Sequence, residues 1–338
     1  MKLGEQTWLF ENAPIIQTSA SVVGPDEGAG PLANDFDIVH SDLYIGEKSW
    51  ECAERKLLEQ AAMLTVQKAG LAIDDVDFFV GGDLMNQIVS ATFSARSFGI
   101  PYLGVFGACS TSMESLAIAS LLVNTGNADR VIAGTTSHNC SVERQFRYPT
   151  EYGGQKVETA QNTVTAAGAA LVSKTGNGPK ITAATIGKVV DMGLKDPNNM
   201  GAAMAPAAVD TIMAHLRDRG VSPGYYDLIV TGDLAAYGSQ IARELFQKFG
   251  VPIEETVYDD CGLMIYDREK QQMFAGASGC GCSAAVTYGH LLKRMERGEL
   301  KRMLVVATGS LHSPVTYQQK ESIPCIAHAV AFESGEVQ

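Results

Sequence analysis

No window of the 338-residue sequence approaches 18 unbroken apolar residues, which excludes a helix that spans a bilayer. Positive charge is also short. The 26 Lys and Arg residues stand against 38 Asp and Glu, for a net charge of -12, and no Lys/Arg-rich block gathers them. Nucleic acid is therefore excluded as the main partner, and any anionic ligand must be captured by a local site. The chain starts without an apolar signal sequence and has 7 cysteines, an odd number. Reduced thiols in a cytosol-like compartment are expected, not a disulfide framework. No second cysteine pair is spaced to complete a zinc site with Cys280 and Cys282, so no metal centre is expected.

What is present is an ordinary globular composition, 46% hydrophobic and 19% charged, long enough for two domains or for one fold built from two halves. The chain is organised around Tyr102 to Asn139. The apolar run Tyr102 to Phe106 predicts a buried strand, Ser112 to Val123 a helix buried on most sides, and Val131 to Ala133 the next strand. Cys109 falls on the turn between the first strand and the helix, with Ser110, Thr111 and Ser112 as ready N-cap residues. Free N–H groups and the helix dipole favour an anion there by about 0.3–2 kcal/mol, so a nucleophilic thiolate of lowered pKa is expected. The plainer reading is a small residue filling a tight buried turn.

The sequence repeats itself. KAGLAIDDVDFFVGGDL matches DRGVSPGYYDLIVTGDL, pairing Gly70 with Gly220, Asp77 with Asp227 and Asp83 with Asp233 at a constant offset of 150. The match runs on to Phe98-Gly99-Ile100-Pro101 and Phe249-Gly250-Val251-Pro252. The second copy then inserts CGLMIYDREKQQMFAGAS, which reads as a β-hairpin, before Gly107 realigns with Gly279 and Arg130 with Arg302. The Cys109 helix thus has a counterpart beginning near Ser283. Helices are expected over Ser49 to Ala69 and Ala205 to Arg219, and each half opens with a strand, Pro14 to Val23 and Lys180 to Val190. A duplicated unit of alternating strands and helices implies two α/β halves, residues 1–175 and 176–338, layered about a pseudo-twofold axis. Residues 140–162 break the pattern and read as a long excursion able to lid a pocket.

These features resemble the thiolase superfamily, including the ketoacyl-ACP synthases, and FGACSTSMESLAIA resembles its nucleophile turn. Over essentially the full length the sequence resembles the stage V sporulation protein AD family of spore-forming bacteria. The blocks that carry the likeness are LGVFGACSTSMES, TTSHN, ERQFRYPTEYGGQK, MAPAA, TGDL, DDCGLMIY, GCSAAVTYGH and SIPCIAH. The resemblance implies a thiolase-like fold layered α-β-α-β-α. It also implies that the fold binds dipicolinic acid (pyridine-2,6-dicarboxylate), alone or with calcium, for uptake into the developing spore. Membrane proteins of the same transport system are the implied protein partners, and the chain itself would lie peripherally at the spore inner membrane. Thiolase-like chains commonly pair through an edge strand, so a homodimer is expected.

Thiolase-type chemistry needs an imidazole in the loop after the second Gly-Asp-Leu, and an imidazole or amide where the duplicated helix begins. Here those stretches read TGDLAAYGSQ and GASGCGCSAAV, without histidine. Binding is therefore expected in place of catalysis, with an acyltransferase using Cys109 as nucleophile, or a scaffold with a vestigial pocket, as the rival readings. A flat aromatic dianion needs donors for each carboxylate and apolar contact on the ring faces. Cys109, Ser110 and Thr111 are the expected donors, with His138 and a lid arginine, Arg144 or Arg147, as charge partners and Cys282 and Ser283 on the opposite wall. Asp83 and Asp233 would accept from ligand or water, hold calcium, or cap helices. His290 and His328 are weaker candidates.

Overall fold

The computed structural model describes residues 1–146, 156–251, 253–254 and 257–335. The first half contributes β1 (Ile15–Val23), β2 (Phe78–Asp83), β3 (Tyr102–Gly104), β4 (Arg130–Ser137) and β5 (Ala166–Ser173). The second contributes β6 (Lys180–Ile186), β7 (Leu228–Thr231), β8 (Tyr258–Asp260), β9 (Arg302–Ser310) and β10 (Cys325–Glu333). Hydrogen bonds order them β8-β7-β9-β10-β6-β1-β5-β4-β2-β3. From either outer edge the sequence of strands is the same: third, second, fourth, fifth, first. In both halves the third, second and fourth strands are parallel and the fifth is antiparallel to its neighbours. The halves join where β1 and β6 run antiparallel, with Ile15 opposite Lys180.

The main helices are α1 (Trp50–Lys68), α2 (Val89–Phe98), α3 (Thr111–Asn124) and α4 (Asn139–Phe146), then α5 (Met200–Arg219), α6 (Ala235–Lys248) and α7 (Cys280–Ala285). The last continues through a π-helical segment, Val286–Leu291, to Glu296. Period-2 alternation along the strands explains the layering. Val131 and Ala133 of β4 pack centrally with Met113 and Leu116 of α3 and Ala284 and Val286 of α7, while Ile132 packs outward on Leu57 and Leu58 of α1. In β9, Val305 faces the centre and Leu304 and Val306 face Ile212 and Leu216 of α5. Both faces of each sheet are covered, so the strands read as continuous apolar runs and the layers run α-β-α-β-α.

Small residues let the central helices sit close. A Cβ on Gly281 would lie 2.4 Å from the Ala166 carbonyl oxygen, and the Ser112 and Ser283 hydroxyls hydrogen-bond across the two halves at 2.6 Å. Among the described residues no helix is long and apolar enough to cross a membrane.

Three expectations are corrected. Tyr102–Gly104 is an edge strand, not a buried one, with Leu103 41% exposed, because only β2 flanks it. The 261–278 insertion is no hairpin: it opens with a helical turn, Cys261–Met264, whose N-cap is the Asp260 side chain, and ends in a two-residue strand, Ala277–Ser278. That strand pairs in parallel with Asn162–Thr163 and not within the insertion. The 140–162 excursion begins as a helix, α4, and its residues 147–155 lie outside those described.

Candidate functional site

Gly107 to Ser110 form a tight turn into α3 that the second half backs. Ala108 takes φ 51°, a left-handed conformation costly for a residue with a Cβ. Side-chain hydroxyls hold it there. Ser110 Oγ donates to the Gly107 carbonyl at 2.6 Å, and Thr111 Oγ1 donates to the Ala108 carbonyl at 2.7 Å while accepting from Gly107 N–H at 3.0 Å. Behind the turn, a Cβ on Gly309 of β9 would lie 2.1 Å from the Gly107 carbonyl oxygen, so only glycine fits. Ser110 and Thr111 are therefore fully buried locks on the turn, not ligand donors, and neither side chain caps the helix.

Cys109 is half-buried and its thiol faces the Asp233 carboxylate, which follows β7 in the second Gly-Asp-Leu. Asp233 in turn accepts from Gly279 N–H at 2.9 Å and from Thr308 Oγ1 at 2.6 Å. Cys280 lies near and donates its own thiol to the Thr136 carbonyl at 2.9 Å. Burial is the largest influence on Cys109, followed by the charges of Asp233 and Cys280, and together they push the thiol well above its ordinary value. The expected lowered pKa is thus reversed. Loss of water and a facing carboxylate outweigh a helix terminus worth about 0.3–2 kcal/mol.

Beside the sulfur is a small, partly open cavity of about 40 Å³. Its apolar walls are Leu84, Phe106, Val142, Phe146 and Met200, and its polar groups are Glu143, Thr163, Ser278, Ser310 and His312. Val142, Glu143 and Phe146 all come from α4 and line one side. Glu143 accepts from Thr163 N–H, Thr163 Oγ1 and Lys156, each at 3.1 Å. Past Phe106, Phe146 and His312 the space continues as a groove along residues 85–88, where Gln87 and Ile88 both have positive φ.

Of the singled-out residues that the structure describes, only Cys109 lines this cavity. Asp83 is fully buried and accepts from the N–H groups of Met85 and Ala91 at 2.7 Å each, a capping role; burial pushes it up to about 7. His138 is sealed in: Nε2 donates to the Leu43 carbonyl at 2.8 Å and Nδ1 accepts from Cys140 N–H at 3.2 Å, so the ring is neutral, and burial lowers its pKa further. Arg144 turns away to pair with Glu51 and lies 5.4 Å from the Trp50 ring centre. Arg147 lies outside the described residues. Cys282 and Ser283 are buried within α7, facing the helix interface and not the cavity. His290 contacts Asp35 at 2.5 Å, and His328 accepts from Gly187 N–H, both elsewhere. Among the described residues no cluster of His, Cys, Asp and Glu is arranged to hold a metal.

Sequence reasoning missed His312, whose ring lies 5.7 Å from that of Phe146. The repeat gives only a partial signal: TGSLH closes β9 as TTSH closes β4, but at the offset that pairs Arg130 with Arg302 His138 falls opposite Ser310, two residues short of His312. One imidazole of the second half thus reaches the cavity, from the segment after β9 and not from either stretch where one was sought.

Two copies of one five-stranded unit, with buried central helices and a cysteine turn opening on a cavity at their junction, define a thiolase-like protein. Solved structures agree. The 3-oxoacyl-[acyl-carrier-protein] synthase III of Aquifex aeolicus superposes with TM-score 0.57 at 15% identity, covering 95% of this chain and 99% of its own. Human mitochondrial 3-ketoacyl-CoA thiolase gives 0.59 at 12% identity over 96% and 99%. At such identities the likeness is one of fold. The family model for stage V sporulation protein AD (SpoVAD) matches residues 4–333, and the stage V sporulation protein AD of Bacillus subtilis (strain 168) is 52% identical over 334 residues, 98% of each chain. The chain belongs to the stage V sporulation protein AD family.

Proposed function

We propose that the Cys109 cavity is a receptor for dipicolinic acid, alone or as its calcium chelate, serving uptake of that ligand into the developing spore. The observation that carries this reading is the state of the sulfur: a thiol kept protonated by burial and by the facing Asp233 carboxylate. A condensing enzyme needs the thiolate as its nucleophile and a partner to move protons. A receptor needs neither. The cavity supplies aromatic and aliphatic walls for the faces of a flat ring, from Phe106, Phe146, Leu84 and Val142, and polar groups at its margin from Ser278, Ser310 and His312. Glu143 in the wall opposes a free dianion, and a one-to-one calcium chelate, which carries no net charge, is spared that repulsion. On this reading the protein works with membrane proteins of the same transport system at the spore inner membrane, and pairs with a second copy along the free flank of β3.

Calorimetry with dipicolinate, with and without equimolar calcium, tests the proposal. Heat should be measured for the parent and be lost or strongly reduced in Phe146→Ala and His312→Ala. Absence of heat at millimolar ligand in both titrations contradicts it. The enzymatic neighbours support a second reading, acyl transfer through Cys109, and a stable acyl adduct on Cys109 after incubation with acyl-CoA, read by intact mass, would establish that reading instead.

A further inference from the structure

The second half carries a separate surface cleft of about 250 Å³ that shares no residue with the Cys109 cavity. It exists because the two copies diverge. The 261–278 insertion, absent from the first half, brings Leu263 and Arg268 across the first turns of α6, where Ser239 and Arg243 face it over Tyr258 and Asp259 of β8.

Arg243 is set in place in advance. Its guanidinium lies 4.7 Å from the centre of the Tyr258 ring, and Nη2 donates to the Tyr258 carbonyl at 3.0 Å. Nη1 is buried and has no hydrogen-bond partner among the described residues. Buried donors, charged ones above all, are nearly always satisfied, so this N–H marks a place for an oxygen that the described residues do not supply. Arg268 gives Nη1 to the Phe274 carbonyl at 2.9 Å and stands on the same cleft as a second charge. Neither arginine forms a salt bridge among the described residues. Against two guanidinium groups the lining offers one carboxylate, Asp259, which leaves the cleft with net positive charge on a protein whose overall charge is -12.

We propose that this cleft is an anion site that takes a carboxylate or phosphate group on Arg243, with Arg268 as the second cationic contact. A planar fork already braced by stacking and by a backbone carbonyl loses little freedom on binding an oxyanion, which is the arrangement in which arginine outperforms lysine. Nothing in this assignment depends on what the Cys109 cavity binds.

The test is calorimetry on the full chain with two probes: inorganic phosphate and acetate. At least one should bind at millimolar concentration, and the preference between the two tells a phosphate source from a carboxylate one. Binding should weaken roughly tenfold or more in Arg243→Gln and several-fold in Arg268→Gln. Because Arg243 also braces Tyr258, Arg268→Gln, at a half-exposed position, provides the variant least able to disturb folding. No binding of any probe, or binding that survives both arginine substitutions, overturns the proposal.

Discussion

Beneath the Cys109 turn lies a carboxyl group whose removal should change how stability depends on pH. Glu114, in the first turn of α3, comes so near Gly107 that a Cβ there would lie 2.8 Å from its Oε2. That oxygen is buried and has no hydrogen-bond partner among the described residues, and burial raises the carboxyl from 4.5 to about 7. The folded protein holds a proton that the unfolded chain releases. The stability tied to this group is therefore fully present below pH 4.5 and is lost as pH rises through 7. At 1.36 kcal/mol per unit, the gap corresponds to at most about 3 kcal/mol, reduced toward about 2 kcal/mol by the partial contact of Glu114 with water. Glu114→Gln, neutral throughout, should match the parent near pH 4.5 and exceed it by about 2 kcal/mol at pH 8. Urea unfolding at both pH values measures the difference. Glu27, Asp83 and Asp260, each pushed to about 7 mainly by burial, are common to both proteins and cancel. A stability difference that stays flat between the two pH values would refute the reasoning.

Other consequences follow from the same geometry. Gly281→Val places its Cβ 2.4 Å from a backbone oxygen and should cost about 1–3 kcal/mol or more, seen as a lower thermal midpoint. A double-mutant cycle of Ser112→Ala and Ser283→Ala should give a coupling of about 1 kcal/mol across the central helices; zero coupling would mean that the 2.6 Å contact contributes nothing. Cys109 should alkylate with iodoacetamide more slowly at pH 7 than a free thiol, and Asp233→Asn should speed it by removing the opposing charge. A rate above that of free thiol in the parent would contradict the protonated assignment.

The fold was legible because it is written twice. Gly70 with Gly220, Asp83 with Asp233 and Arg130 with Arg302 fix two copies of one unit, and the strand order third, second, fourth, fifth, first appears in each. The turn at Cys109 was also legible, since small residues and hydroxyls before an apolar helix admit few other conformations. What those groups do was not. Ser110 and Thr111 have the right chemistry for a ligand, but the strained φ of Ala108 requires their hydroxyls for the turn itself. His138 and Arg144 lie near the site in the chain, yet a half-turn of helix or a strand's alternation sends one into the core and the other to Glu51. Sequence adjacency says little about facing. The true walls, Glu143, Phe146, Thr163, Ser278 and His312, come from four separate segments that only the closed fold assembles.

The receptor we propose holds its ligand against a thiol that does not react. Crystals grown with dipicolinate and calcium should show density for the planar ring between Phe106 and Phe146, beside a Cys109 sulfur that remains unmodified. An empty Cys109 cavity with the ligand bound elsewhere, or a covalent bond at the sulfur, would contradict it.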